Sequence, residues 1–324
     1  MLEQDGPPVW VLADDRTGDV AQCLGVAEAL GLPFTVKTIR YRPVAALHNA
    51  LRGPTLFGIR SASRRQLVAP WPRLVIACGR RTAPIARWIK GRSGAFLTQI
   101  MDPGPGARAD IDLFAIPTHD RAPLPDEQVV YMFGAPHRAT PERLAAAAAE
   151  WAPRLAHLPR PWLTVAVGGC TRRRDFPPEM ARSLARQASD LAARAGGSVL
   201  LTTSRRTGKA AEKVLVSAIA APHFVHRWGE GGANPFFALI GLADAAVVTG
   251  DSMSMCTEAT MCPGPLYIWS PRGWATEKHR QLHKELFAGG YARPLAGIEE
   301  IGAWGHPGLN AAPAVAAAIR ERLP

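Results

Sequence analysis

The stretch VVTGDSMSMCTEA, residues 247–259, decides the fold. An apolar, β-branched run ends at Thr249-Gly250, and Asp251 or Ser252 then caps a helix whose first N–H groups have no partner within the helix. A buried strand that turns directly into a helix is one half of a βα unit. Glu258 stands six residues after Ser252, too deep in that helix to complete a capping box. Its carboxylate either faces solvent or accepts hydrogen bonds from a vicinal diol such as ribose. Capping alone would account for Ser252, and contact with an anion can coexist with it.

Outward from this segment the pattern repeats. In the second half, strands are expected at 163–167, 199–203, 224–227, 246–249 and 266–269. They alternate with helices near 178–195, 209–220, 235–242, 253–261 and 276–288, and a last helix spans 312–322. In the first half, strands are expected at 9–13, 34–39, 74–78, 96–101, 113–116 and 129–133, with helices over 20–30, 82–90 and 141–151. Such alternation gives largely parallel, doubly wound α/β sheets. The length of 324 residues suits two domains. Residues 151–161 carry three prolines and read as a linker, dividing the chain into 1–155 and 156–324.

Ligands in such sheets bind beyond the carboxyl ends of the strands, so the strand-to-helix loops carry the chemistry. Gly168-Gly169-Cys170-Thr171 follows the first strand of the second half. Its glycines either make a turn or let the backbone approach an anion. Thr202-Thr203-Ser204-Arg205-Arg206-Thr207 places hydroxyls around two arginines, a set suited to a diphosphate. The glycine-rich loop from Trp228 to Asn234 enters a helix; it can line a base pocket, and capping by Asn234 explains it equally. In the first half, Asp14-Asp15-Arg16-Thr17-Gly18-Asp19 offers a general base for a hydroxyl, or an acidic first helical turn favoured by the dipole. Gly79-Arg80-Arg81-Thr82 repeats the basic theme. Asp110-x-Asp112 resembles a metal-binding pair but lacks supporting ligands and is read as coincidence, so no metal site is expected.

Charge adds a partner class. The chain has 38 basic and 27 acidic residues, a net charge of +11. No acid lies between Glu28 and Asp102, whereas Lys37, Arg40, Arg42, Arg52, Arg60, Arg64, Arg65, Arg73, Arg80, Arg81, Arg87, Lys90 and Arg92 all do. Such a block implies an anionic partner, or a solvated face whose counter-charges lie elsewhere in the fold. Arg60, Arg64 and Arg65 follow the apolar 56–59 stretch and are read, with Arg80 and Arg81, as a membrane- or acceptor-facing surface. Nucleic acid is not expected, since it leaves the Ser-Arg-Arg-Thr and Asp-Ser loops unexplained. The five scattered cysteines form no C-x-x-C pair, and most read as buried small hydrophobes beside strands. No run is long and apolar enough to span a membrane, and MLEQDGPP does not read as a signal peptide. The expectation is a cytoplasmic protein, with a peripheral place on the inner face of the plasma membrane.

Taken together, WVLADDRTG (10–18) with Gln22, ACGRRT (77–82), MDP (101–103), TSRRT (203–207), Asn234-Pro235 and the 248–258 run resemble the family of the plant mitochondrial-fission "elongated mitochondria" factor over essentially the whole chain. Cys256-Thr257-Glu258 departs from that family's usual Val/Ile-Ser-Glu. The family in turn resembles GT-B glycosyltransferases, especially the enzyme that adds N-acetylglucosamine to lipid-linked peptidoglycan precursor. The resemblance implies two Rossmann-like domains facing across a cleft, with a nucleotide sugar on the C-terminal one and no other cofactor. It implies Glu258 at the ribose, and Gly168, Gly169, Ser204, Arg205, Arg206 and Ser252 around the diphosphate; Asn234 and Asp251 are counted with them as donor-binding residues. Where that enzyme has a histidine after its first-loop glycines, Asp19 follows Gly18, so Asp19, or failing it Asp15, is the expected base. The function expected is metal-independent sugar transfer to a membrane-associated envelope acceptor, with arginines stabilising the leaving diphosphate. Alternatives are a non-catalytic recruitment protein on the same scaffold, or a nucleotide-sugar epimerase or hydrolase.

Overall fold

The computed structural model describes residues 8–43, 53–172 and 174–324, so Arg52 and the first seven residues lie outside the described residues. The chain divides into two compact units, residues 1–138 with 310–324, and 139–309. The division differs from the sequence reading at both ends, because the helix over 141–155 groups with the second unit and the last helix with the first.

The first unit contains β1 (Val9–Ala13), α1 (Thr17–Leu30), β2 (Phe34–Thr38), the short α2 (Ser61–Arg65), β3 (Leu74–Cys78), α3 (Gly79–Ser93), β4 (Phe96–Ile100), β5 (Leu113–Pro117) and β6 (Val129–Met132). The second contains α4 (Pro141–Leu155), β7 (Trp162–Ala166), α5 (Pro178–Arg194), β8 (Ser198–Thr202), α6 (Lys209–Ala218), β9 (His223–His226), α7 (Phe236–Leu242), β10 (Ala245–Thr249), α8 (Met253–Ala259), β11 (Leu266–Trp269), α9 (Glu277–Ala288) and the two-residue β12 (Arg293–Pro294). The closing helix, α10 (Ala312–Arg322), belongs to the first unit.

Each unit holds one six-stranded parallel sheet, in the orders β2-β1-β3-β4-β5-β6 and β12-β11-β10-β7-β8-β9. Central strands such as β1 (VWVLA), β3 (LVIAC) and β10 (AAVVT) are buried along their whole length. Helices cover both faces of a parallel sheet, so such strands read as unbroken apolar runs. The edge strands β2 (FTVKT) and β9 (HFVH) are partly exposed and carry polar residues. In the first unit α1 and α10 pack on one face through Val26, Leu30, Val315 and Ile319, while Ile85 and Ile89 of α3 enter a second cluster with Leu12 and Phe114. In the second unit α5 and α6 cover a core of Leu184, Leu191, Leu215, Val165 and Tyr267.

The first part of the expected linker is helix: α4 continues through Pro153 to Leu155. Buried Leu155 and the edge-to-face contact of Trp151 with Phe224, 5.7 Å between centroids, hold its last turn in place. Helices α1 and α3 each begin three residues earlier than expected, which turns Thr17–Asp19 and Gly79–Arg81 from loop into first helical turns. Cys23, Cys78, Cys256 and Cys262 are buried, but Cys170 is exposed. Among the described residues no helix is long and apolar enough to cross a membrane.

Candidate functional site

Each sheet reverses its strand order once, between β1 and β3 in the first and between β7 and β10 in the second. At such a point neighbouring connections run in opposite directions and leave a crevice at the carboxyl ends, the usual ligand position in open α/β sheets. The carboxylate-rich loop 14–19 and the glycine pair of loop 168–171 both sit there.

In the second unit, Asp251 holds the crevice together. Its side chain is buried; Oδ2 accepts from the Gly169 N–H at 3.0 Å and from the Arg206 guanidinium, while Oδ1 has no hydrogen-bond partner. A Cβ on Gly168 would fall 2.3 Å from that carboxylate, and one on Gly169 (φ +131°) 2.2 Å from the Arg206 carbonyl. The two glycines are thus required by contacts within the protein, whether or not a ligand also approaches them. The Gly168 carbonyl accepts from Ser204 Oγ at 2.6 Å and from Thr207 Oγ1 at 2.7 Å, and the Cys170 N–H donates to the Arg206 carbonyl at 2.8 Å. Most of the expected clamp is therefore engaged internally. Arg205 is the exception: it is exposed and makes no ion pair among the described residues.

Ser252 caps α8, its Oγ accepting from the Met255 N–H at 3.4 Å. Glu258, on the next turn, is half-buried and makes no side-chain hydrogen bond or ion pair among the described residues. Burial pushes its carboxyl up to about 7. A shielded carboxylate without a cation beside it is suited to hydroxyl donors. Asn234 Oδ1 accepts from the Phe236 N–H at 3.0 Å across the N-cap Pro235, which ties its side chain to the start of α7. In the same loop Trp228 is exposed, and its backbone N–H donates to Thr203 Oγ1 at 2.8 Å, fixing its main chain beside the loop that follows β8.

In the first unit the structure separates three neighbouring aspartates. Asp15 is largely exposed and held by Arg81, whose guanidinium also lies 4.1 Å over the Tyr41 ring. The Asp14 side chain is buried; Oδ1 accepts from the Arg16 N–H at 2.8 Å, and burial raises its pKa. Asp19, in the first turn of α1, lies 3.6 Å from Arg16, and its Oδ2 has no hydrogen-bond partner. A Cβ at Gly79 would come within 2.9 Å of that oxygen, so Asp19 faces the end of β3 across the reversal point. Burial pushes its carboxyl to about 6, against the attraction of Arg16. Of the two expected bases, Asp19 is the shielded one, and its carboxyl stands near neutral pH, whereas Asp15 is exposed and held by Arg81. Asp14, one of the three carboxylates of the loop read as offering a base but not one of the two chosen, belongs to the same cluster; nothing in the spacing marks it apart from Asp15.

The basic block is partly neutralised from outside its own stretch. Arg87 donates to Asp110 and Lys90 to Asp112, which gives that acid pair a structural use. The 56–59 stretch is not a surface patch, because Leu56 and Ile59 are core residues and only Phe57 is exposed. Arg60, Arg64 and Arg65 are exposed around α2, with Phe57 and Val68 as exposed apolar neighbours in sequence. Arg80 is exposed as well, while Arg81 is engaged with Asp15.

Two doubly wound parallel sheets, each with its polar cluster at the reversal of strand order, define a GT-B-like α/β protein. The chain belongs to the mitochondrial fission ELM1 family, whose model matches residues 17–323. It is 28% identical to the mitochondrial fission protein ELM1 of Arabidopsis thaliana, over 82% of this chain and 67% of that protein. Among solved structures it resembles the UDP-GlcNAc 2-epimerase of Methanocaldococcus jannaschii in complex with UDP-GlcNAc and UDP (9% identity, TM-score 0.56, 97% of this chain and 99% of that one). It also resembles the UDP-forming trehalose-phosphate synthase of Burkholderia xenovorans (13% identity, TM-score 0.51, 98% and 92%). At these identities the likeness concerns the fold.

Proposed function

We propose that the chain is a glycosyltransferase that uses a nucleotide sugar and delivers the sugar to a membrane-associated acceptor of the cell envelope. The observation that carries this reading is Glu258, a half-buried carboxylate free of ion pairs among the described residues, on the helix that follows the reversal strand β10. Ribose hydroxyls would donate to it, Arg205 would meet the diphosphate, and the exposed face of Trp228 would meet the base. In the first unit Asp19 would take the proton of the acceptor hydroxyl as that oxygen forms its bond to the sugar. The bond from the sugar to the diphosphate breaks in the same step, and the nucleoside diphosphate leaves with the electron pair. The exposed arginines around α2, with Phe57 and Val68, would bring this unit to anionic lipid.

Calorimetric titration with UDP, GDP, CMP and dTDP sugars tests the donor assignment. One nucleotide class should bind and lose affinity in Glu258→Gln and Arg205→Ala. Vesicle sedimentation tests the membrane assignment: binding should require anionic lipid, weaken as salt rises, and disappear when Arg60, Arg64 and Arg65 are neutralised together. A second reading, a non-catalytic recruitment protein, is favoured by the internal engagement of Arg206 and Ser204, and by the fission role in the plant relative's name. Vesicle binding without any nucleotide binding would select it. Conversion of a nucleotide sugar in the absence of an acceptor would select an epimerase or hydrolase.

A further inference from the structure

A cavity of about 430 Å³ opens in the second unit beside β11, between α5 and α9. That volume lies within the range of small-molecule sites. The strands β11 and β12 lie on the far side of β10 from β7 and β8, and none of the candidate donor residues lines the cavity. It adjoins the donor loop through His283, whose ring would lie 2.4 Å from a Cβ at Gly250, but its lining is distinct from the candidate donor residues.

Its floor is aromatic and fixed. Trp269 packs against Trp274 and Phe176, at 5.6 Å and 6.1 Å between ring centroids, and Phe287 of α9 adds a second apolar wall. Its rim is cationic. Arg272, Arg280 and Lys284 line it, and no aspartate or glutamate does. Arg280 is shared, since it pairs with Glu277 and donates to the Ala275 carbonyl at 3.1 Å. Arg272 and Lys284 are exposed and have no ion-pair partner among the described residues. His283 also lines the cavity, and burial pulls its pKa down to about 4, so its ring is neutral at pH 7 and adds no charge.

Two unpaired cations over an apolar floor match a doubly charged head on an apolar body, since each part of such a ligand meets its own kind of surface. No carboxylate lines the wall to accept from sugar hydroxyls, and its neutral polar side chains are Ser183, Gln187, Ser270 and His283. We propose that this cavity binds a phosphate monoester carrying an apolar chain, an alkyl or isoprenyl phosphate, with the phosphate at Arg272 and Lys284 and the chain on Trp269 and Phe287.

Calorimetry on the full chain with octyl phosphate, octanol and inorganic phosphate tests this. Octyl phosphate should bind roughly tenfold or more tightly than either of the other probes, and the double substitution Arg272→Glu/Lys284→Glu should weaken it by at least roughly tenfold. Both side chains are exposed, so the variant should keep the wild-type melting temperature. Phe287→Ala should weaken octyl phosphate while leaving inorganic phosphate unchanged. Absence of octyl phosphate binding, or equal affinity in wild type and double variant, would overturn the proposal. So would displacement of octyl phosphate by the nucleoside diphosphate that binds the donor loops, because the cavity would then belong to that site.

Discussion

Asp19→Asn should make the protein more stable at neutral pH and leave it unchanged in acid. The carboxyl ordinarily titrates at 3.8 and stands at about 6 in the folded chain, chiefly because burial disfavours its charge. A shift of about two units corresponds to about 3 kcal/mol between the protonation states. The direction follows from linkage. Between pH 3.8 and about 6 the folded chain keeps a proton that the unfolded chain has released, so wild-type stability falls as pH rises through that window. Above it the cost is fully present, and below 3.8 it vanishes. The asparagine has no charge to shield. Its advantage should grow from near zero at about pH 4 to at most about 3 kcal/mol at about pH 7.5, a figure already net of the attraction of Arg16. Urea unfolding of both proteins across this range reads the difference directly, and the titration of Asp14, common to both, largely cancels. A gap independent of pH, or a variant less stable than wild type at neutral pH, would refute the reasoning and remove the case for Asp19 as a poised base.

Arg206→Ala should cost about 2–3 kcal/mol, because it strips a shielded Asp251 of its cation, whereas Asp251→Asn should cost about 1–2 kcal/mol, because the part-exposed guanidinium can turn to water. A double-mutant cycle by chemical denaturation should show coupling above about 0.5 kcal/mol, and simple additivity would deny the pair. Gly169→Ala should lower stability by roughly 2–4 kcal/mol through strain plus collision with the Arg206 carbonyl. Gly31→Ala, at φ +71° with open space around it, should cost only about 1 kcal/mol, a contrast that melting temperatures will report. If Glu258 receives ribose, uridine should bind roughly tenfold more tightly at about pH 8 than at about pH 6, since its carboxyl stands at about 7. Calorimetry should find that dependence gone in Glu258→Gln.

The central strands were legible because burial on both faces leaves no room for polar residues, as in LVIAC and AAVVT. β12 and α2 were not, since two and five residues are too few to show a period. Pro153 suggested a linker because proline weakens helices locally, but buried Leu155 and the contact of Trp151 with Phe224 outweigh it from outside the segment. The candidate loops were placed correctly at the carboxyl edges of the sheets. Their internal engagement could not be read, because Arg206 and Asp251 are 45 residues apart and Arg87 and Asp110 are 23 apart. Sequence shows which residues are able to bind an anion; only the fold shows which have already found one. The same limit hid the difference between Asp15 and Asp19, two identical side chains that burial sets apart.

The membership of α10 in the first unit has a consequence for the order of synthesis. Ala312, Val315, Ala316 and Ile319 complete the core against α1, and Arg320 bonds to the carbonyls of Ala29 and Leu30. Asn310 receives the His137 N–H and returns a bond to the His137 carbonyl, closing the seam where the chain re-enters this unit. A ribosome therefore makes the opening 138 residues and then all of 139–309 before it makes the helix that seals the first core. Until then Val26 and Leu30 lack their cover, the kind of exposed apolar surface that chaperones engage. The second unit is one unbroken segment and can close as soon as it emerges. The unit encoded second is thus the one free to finish first.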